Sequence, residues 1–197
     1  MKAFFLGMFV CFFLFMMLFM YLNKVGKDPR HDATGENELY TEWEEKTRAR
    51  AVVPSEEQLE AWTTKVREAF TPFEAERAAE NFPKAYDEDF YFRDAFHLYT
   101  DLQEMTDYMV KTAEASPGVT FTFRPAIQNG IDIILPWTMI LPSKDGGDAQ
   151  KSLGVSHLRF SPEGKVIFHQ DYWDSADVLV KRVPIANGII ELVRRQF

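Results

Sequence analysis

A histidine and an aspartate near the carboxyl end of the chain could perform acid–base chemistry. His169 and Asp171 are two residues apart in a stretch that continues to Trp173, and residues two apart on a β-strand point to the same face. A carboxylate beside an imidazole fixes the tautomer of the ring and raises its basicity, so such a pair can take a proton from a bound substrate. The same spacing also fits a buried pair that only satisfies its own hydrogen bonds, and the sequence leaves both interpretations open.

Other kinds of chemistry lack suitable residues in the sequence. We expect no metal site, because two ligands are too few and the other histidines, His31, His97 and His157, are predicted to lie elsewhere. We expect no cofactor, because the sequence contains no glycine-rich phosphate loop. The single cysteine, Cys11, lies in an apolar run and no serine nucleophile motif occurs, so covalent catalysis has no candidate.

The amino-terminal run of uncharged residues predicts a transmembrane helix. The 20 residues from Ala3 to Leu22 carry no charge, and a helix of that length covers about 30 Å, the thickness of a bilayer's hydrocarbon core. We assign residues 1–23 to a membrane anchor. A signal peptide is the competing interpretation, but no Ala-x-Ala-like cleavage site follows the run.

The basic residues around this run predict its orientation. Three basic residues follow it by position 30, whereas only Lys2 and the amino terminus precede it, a difference of one charge. The positive-inside rule therefore places the rest of this single-pass membrane protein on the cytosolic or matrix-like side, with the mitochondrial inner membrane as one candidate.

The charge of the chain argues against nucleic acid as a partner. The sequence has 30 acidic and 22 basic side chains, which gives a formal net charge of −8. A surface that binds phosphate backbones is basic instead. We expect membrane lipid around the anchor and no nucleic acid.

Composition divides the remaining residues into three parts. Residues 24–54 form a charged, partly helical tether, residues 55–183 have the patterns of a folded domain, and residues 184–197 form an amphipathic basic tail. Such a tail fits an anionic membrane surface, or it packs on the domain or on a partner.

Three helices are predicted in the folded part. Ser55-Glu56-Glu57-Gln58 is a capping box, and apolar residues at helical spacing follow it from 56 to 70. Thr71-Pro72 opens a second helix that should end before Pro83. Asp101 caps a third helix.

The rest of the domain has the alternating pattern of strands. A short strand is predicted at 90–94, and later strands follow between 119 and 173, with turns at Asn129-Gly130 and at 161–164. Helices that precede a long antiparallel sheet define an α+β domain. Helices laid across the concave face of a curved sheet leave a pocket, where a ligand would bind.

Two short motifs resemble those of a known superfamily. Phe92-Arg93-Asp94-Ala95-Phe96-His97 follows two helices, and Leu158-Arg159-Phe160-Ser161-Pro162-Glu163-Gly164-Lys165-Val166 leads into His169-Gln170-Asp171-Tyr172-Trp173-Asp174. Together with the order of elements, they resemble the nuclear transport factor 2-like superfamily, particularly its ketosteroid isomerase-like and SnoaL-like branches. The resemblance covers residues 56–183. It implies a cone-shaped roll of a curved antiparallel sheet with helices on its concave face, to which the sequence adds one N-terminal transmembrane helix.

The resemblance also implies site residues. Asp94 lies where the steroid isomerases place a proton-shuttling carboxylate, and Ser156 lies where they place a second acid that donates a hydrogen bond. Asp171 resembles an aspartate of the limonene epoxide hydrolase-like members, although Trp137-Thr138-Met139 stands where those members have Arg-x-Asp. The candidate catalytic residues are therefore Asp94, His169 and Asp171, and the implied pocket-lining residues are Ser156, Leu158 and Trp173.

Two functions fit these observations. The main hypothesis is a non-catalytic accessory or interaction subunit of a larger membrane assembly, for example an organellar bioenergetic complex. The reason is that the predicted pocket lacks a complete set of the catalytic residues of any known family. Its partners would be other subunits of that assembly, or a second copy bound through the sheet face. The alternative is a pocket enzyme that isomerises, dehydrates or hydrolyses a small hydrophobic substrate by acid–base chemistry.

Overall fold

The structure, a computed structural model, describes residues 16–17, 33–143, 148–175 and 184–196. The predicted anchor at residues 1–23 lies outside these ranges, apart from Met16 and Met17. Within the described ranges, no helix is both long and apolar enough to cross a bilayer.

The chain divides into two units, Met1–Glu42 and Trp43–Phe197. Helix α1, Ala33–Arg50, begins in the first unit, and its last turns belong to the second. In the second unit, Trp43 and Thr47 are buried. Packing therefore includes residues on the amino-terminal side of position 55, where the sequence-based domain begins.

Helix α2, Glu56–Phe70, begins at the predicted capping box. The Ser55 hydroxyl accepts a hydrogen bond from the Gln58 backbone N–H at 3.3 Å, and the Gln58 side-chain oxygen accepts one from the Ser55 N–H at 2.9 Å. These two bonds satisfy backbone donors that the first helical turn would leave unpaired. The prediction of this helix is confirmed.

Of the other two helices of the domain, the first packs against both α2 and the second helix. Helix α3, Ala75–Ala85, continues through Pro83 instead of ending before it. Proline removes only its own N–H, and the Tyr86 N–H still closes the last turn on the Phe82 carbonyl, so the helix reaches Ala85. Helix α4, Leu102–Ala115, is capped by Asp101 as predicted.

Seven strands form one sheet. They are β1 Tyr86–Arg93, β2 Leu98–Tyr99, β3 Thr120–Phe123, β4 Ile127–Asn129, β5 Asp132–Leu141, β6 Gln150–Phe160 and β7 Val166–Trp173. Their order is β2-β1-β7-β6-β5-β3, and β4 also pairs with β5.

The sheet is curved and mixed, which corrects the expectation of an antiparallel sheet. Strands β1 and β7 run parallel, with Phe92 opposite His169. All other pairs are antiparallel. The alternation of apolar residues fixes which face of a strand is buried, but it does not fix the direction of the neighbouring strand.

The two faces of the sheet carry different contacts. Helices α2, α3 and α4 share an apolar core with one face. On the other face, Trp43 lies beside Tyr91, and Tyr91 stacks on Phe168 at 5.1 Å between ring centroids. The last turns of α1 therefore cover part of the sheet face that lies opposite α2, α3 and α4. A second copy bound through the sheet would use that face.

The carboxyl-terminal tail contains a further helix, α5, Pro184–Arg194. Its Leu192 and Val193 side chains are exposed. The Arg194 guanidinium lies 3.9 Å from the Asp174 carboxylate, which follows β7.

Candidate functional site

A cavity of about 140 Å³ lies between the sheet and helices α2 and α4. Half of its lining residues are aromatic. The aromatic side chains include Phe70, Phe73, Phe92, Phe121, Phe123 and Trp137. The polar side chains that reach it are Asp94, Tyr108, Thr112, Ser116, Ser156 and Asp171.

A chain of hydrogen bonds runs from the core into this cavity. The Tyr86 hydroxyl lies 2.5 Å from Nδ1 of His169, and Nε2 of His169 lies 2.8 Å from Oδ1 of Asp171. The Ser156 hydroxyl donates to the same Oδ1 at 2.6 Å and accepts from the Trp137 indole N–H at 3.0 Å. Three strands and the start of β1 thus hold one carboxylate.

The direction of the hydrogen bonds follows from the state of Tyr86. Complete burial raises the pKa of this phenol well above its ordinary value, and the negative charge of Asp171 raises the pKa further. Tyr86 therefore keeps its proton. Because the Asp171 carboxylate can only accept, the proton of a neutral imidazole lies on Nε2 and points to Asp171, and Nδ1 accepts from the Tyr86 hydroxyl.

Asp171 keeps one oxygen open. Its Oδ1 accepts two hydrogen bonds, whereas Oδ2 has no hydrogen-bond partner within the ranges that the structure describes. The side chain is 12% exposed and lines the cavity. Two donors on one oxygen fix the orientation of the carboxylate and leave the other oxygen available to a ligand.

Asp94 reaches the same cavity with both oxygens occupied. Its Oδ1 accepts from the backbone N–H groups of Phe96 and His97, each at 2.7 Å, and Oδ2 accepts from the Tyr108 hydroxyl at 2.5 Å. Burial raises the pKa of Tyr108, and so do the charge and hydrogen bond of Asp94, which keeps Tyr108 a donor. Asp94 shapes the turn between β1 and β2.

The structure places the other sequence-predicted residues in three environments. Ser156 and Trp173 line the cavity. His169 is 1% exposed and lies behind Asp171, outside the lining. Leu158 is fully buried in the core and is not a lining residue either.

Three further site residues were missed in the sequence. Tyr86 lies at the junction of α3 and β1, 83 residues before its partner His169, and no local pattern connects residues so far apart. Tyr108 lies one position before Met109 on the apolar face of α4, which was the available signal. Trp137 stands where the resemblance implies Arg-x-Asp, and no local pattern marks its indole N–H as a donor to Ser156.

Gly154 leaves room for the Trp137 indole. A Cβ atom on Gly154 would lie 2.3 Å from the six-membered ring of the Trp137 indole, a distance that van der Waals contact forbids. Gly154 is opposite Trp137 in the β5–β6 pairing. The absence of a side chain at 154 therefore lets the indole approach β6 closely and reach Ser156.

No metal-binding group of three ligand side chains is found among the described residues. The arrangement can instead accept a proton or a hydrogen bond at Oδ2 of Asp171, in surroundings that are mostly apolar.

The mixed sheet, the three helices on one face and the cavity between them define an α+β domain of the nuclear transport factor 2-like class. The model of the SnoaL-like domain family matches residues 66–169, which is more than half of the chain. The chain belongs to the SnoaL-like family.

Two solved structures illustrate the likeness of the fold. The protein AclR of Streptomyces galilaeus is 16% identical, with 72% of this chain and 96% of that chain covered and a TM-score of 0.50. A protein with a ketosteroid isomerase-like fold from Catenulispora acidiphila, solved in complex with trimethylamine, is 17% identical, with 60% and 88% covered and a TM-score of 0.51. No curated protein matches the chain.

Proposed function

We propose that this domain is an enzyme that performs acid–base chemistry on a small hydrophobic substrate, with Asp171 as the group that accepts and returns a proton. The observation that carries the proposal is the open Oδ2 atom of a carboxylate whose other oxygen is held by His169 and Ser156. A carboxylate held in one orientation in an apolar cavity is a suitable general base.

The proton transfer returns Asp171 to its starting carboxylate form at the end of each cycle. Oδ2 of Asp171 forms an O–H bond as the substrate's bond to that hydrogen breaks, and the electron pair stays on the substrate. The carboxylic acid then returns the proton to a different substrate atom, which gives an isomer, or to a departing hydroxyl, which gives water and a dehydrated product. If the first proton comes from water instead, the water oxygen bonds to the substrate, the substrate's bond to its leaving group breaks, and the carboxylic acid returns the proton to that leaving group, which completes hydrolysis.

Asp94 is a weaker candidate for the base than Asp171. All three of its hydrogen bonds would have to be weakened or lost if it took a proton. We assign it to the wall of the cavity, where it orients Tyr108.

The Kemp elimination of nitrobenzisoxazole tests the proposed base. A carboxylate removes the carbon-bound hydrogen, the N–O bond breaks, and a coloured cyanophenolate forms without any cofactor. We expect Asp171→Asn to lower kcat/KM by about a hundredfold, the usual contribution of a general base.

Asp174→Asn is the matched control, because Asp174 is an exposed aspartate in the same stretch of sequence and does not line the cavity. Its kcat/KM should equal that of the wild type. Equal rates for the wild type and Asp171→Asn would refute the assignment of the base.

The accessory-subunit hypothesis remains a second proposal, carried by the uncharged run before residue 23. It places the chain in a membrane, on the cytosolic or matrix-like side, among other subunits or with a second copy. Native gel separation after mild detergent extraction distinguishes the two proposals. An accessory subunit would migrate with a fixed set of partners, and its Asp171→Asn variant would keep the full biological role of the wild type.

A further inference from the structure

We propose that the ligand of the cavity is a compact apolar molecule that presents an N–H or O–H donor to Oδ2 of Asp171. This inference rests on the site of the proposed function, but it concerns binding alone and does not require that the proton is transferred.

The first argument is that four side-chain donors in the cavity wall are already committed. The Ser156 hydroxyl donates to Asp171 and the Trp137 indole donates to Ser156. The Tyr108 hydroxyl donates to Asp94, and the Thr112 hydroxyl donates to the Tyr108 carbonyl. Ser156, where the resemblance placed an oxyanion donor, therefore directs its hydrogen away from a ligand.

The second argument is the charge of the wall. Within the described ranges, the lining includes two carboxylates and no Lys, Arg or His side chain. The Trp173 indole N–H and the Ser116 hydroxyl are the remaining side-chain donors of the lining, and both are neutral. A ligand that carried a negative charge would meet repulsion from both Asp94 and Asp171.

The third argument is the cost of leaving Oδ2 unpaired. A ligand that fills the cavity removes water from this oxygen, and a buried charged acceptor without a donor is strongly unfavourable. A ligand with a donor replaces that water, whereas a ligand of the same shape without one does not. The site should therefore distinguish two such molecules by more than their contact with the aromatic wall.

Indole and benzofuran test the inference, because they have the same bicyclic shape and differ in an N–H donor and a ring oxygen. We expect calorimetric titration of the wild-type protein to give an affinity for indole about ten- to a hundredfold higher than for benzofuran, which is the range for a hydrogen bond to a charged group. Asp171→Asn should reduce this ratio to less than about threefold, because a neutral amide is the weaker acceptor. Asp174→Asn should keep the ratio of the wild type.

Equal affinities of the wild-type protein for both probes would overturn the inference, and so would a failure of indole to bind. A preference for indole that is as large in Asp171→Asn as in the wild type would overturn it as well. The outcome is separate from the Kemp assay. A preference for indole without base catalysis would keep the ligand class and refute the enzyme, and base catalysis without the preference would do the reverse.

Discussion

Asp171 is held from behind by a ring that never reaches the cavity. The two-residue spacing of His169 and Asp171 was enough to predict that they share a face, and the structure places them 2.8 Å apart. The spacing could not predict which ring nitrogen carries the proton. That property depends on the partner of each nitrogen, Asp171 at Nε2 and Tyr86 at Nδ1, and Tyr86 is fixed by the packing of β1 against β7.

Tyr86→Phe tests the hydrogen bond to Nδ1 of His169. The change removes only the hydroxyl and leaves Nδ1 of His169 buried without its donor, so we expect a loss of about 1–3 kcal/mol in the free energy of unfolding. Nitrogen NMR of the imidazole should show Nε2 protonated in both proteins, because Asp171 still accepts that proton, and a shifted Nδ1 signal in the variant, because the hydrogen bond to Nδ1 is lost. An Nδ1 signal that is the same in both proteins would contradict the assignment.

Gly154→Ala tests whether the close approach of Gly154 to the Trp137 indole stabilises the domain. The added methyl group displaces the indole, breaks its hydrogen bond to Ser156, and should cost about 1–3 kcal/mol of stability through overpacking. We expect a changed near-ultraviolet circular dichroism spectrum and weaker binding of indole.

Ser152→Ala is the control for that substitution. Ser152 lies two residues earlier on the same strand, is buried, and has a hydroxyl with no hydrogen-bond partner within the described ranges. Removing this hydroxyl should be neutral or slightly stabilising. If both alanine variants behave like the wild type, the close approach of Gly154 and Trp137 has no energetic role.

At the scale of elements, one buried arginine joins α1 to the sheet. Arg159 on β6 is 1% exposed, and its Nε donates to Asp132 on β5 at 2.6 Å. Its two terminal nitrogens donate to the backbone carbonyl and the carboxylate of Glu44, both at 2.7 Å. The guanidinium therefore has partners on both sides, as a buried charge requires.

Because of these contacts, the free energy of unfolding of the domain should fall at low pH. The Arg159 hydrogen bond lowers the pKa of Glu44, with Arg48 contributing. Burial raises the pKa of Asp132, but hydrogen bonds from Arg159 and His157 outweigh it, so the net pKa is lowered. A lowered pKa in the folded state stabilises the fold above the unfolded pKa of about 4, and this stabilisation is lost as the pH falls through the folded values.

Arg159→Met should therefore destabilise the domain at neutral pH and flatten its acid dependence. We expect a loss of about 3 kcal/mol, the lower end for breaking a buried ion pair, because both carboxylates retain contact with solvent. Urea titrations between neutral pH and about pH 3 measure both effects.

Lys84→Met provides the comparison, since the ion pair of Lys84 with Glu80 is exposed on both sides. Its stability should stay within about 0.5 kcal/mol of the wild type. If the free energy of unfolding of Arg159→Met, plotted against pH, runs parallel to that of the wild type, Glu44 and Asp132 do not cause the pH dependence of stability.

At the scale of the whole molecule, predictability followed distance along the chain. The capping box at Ser55 and the loop 161–164 were predicted because each is set within about four residues, and the Ser161–Lys165 and Gly164–Ser161 backbone bonds close that loop. The parallel pairing of β1 with β7 and the short strands β2 and β4 depend on partners that no local pattern names. The cavity combines both kinds of information, so its position could be predicted from the resemblance while its hydrogen bonds could not.

The pairing of β1 with β7 also determines when the domain can be completed during synthesis. A nascent chain that has emerged from the ribosome as far as residue 165 already has α2, α3, α4 and six of the seven strands, but β1 has no partner on the side that β7 will fill. It also lacks His169 and Asp171. Until the last eight-residue strand, Val166–Trp173, is available, the growing chain exposes an unpaired strand edge that other chains can bind.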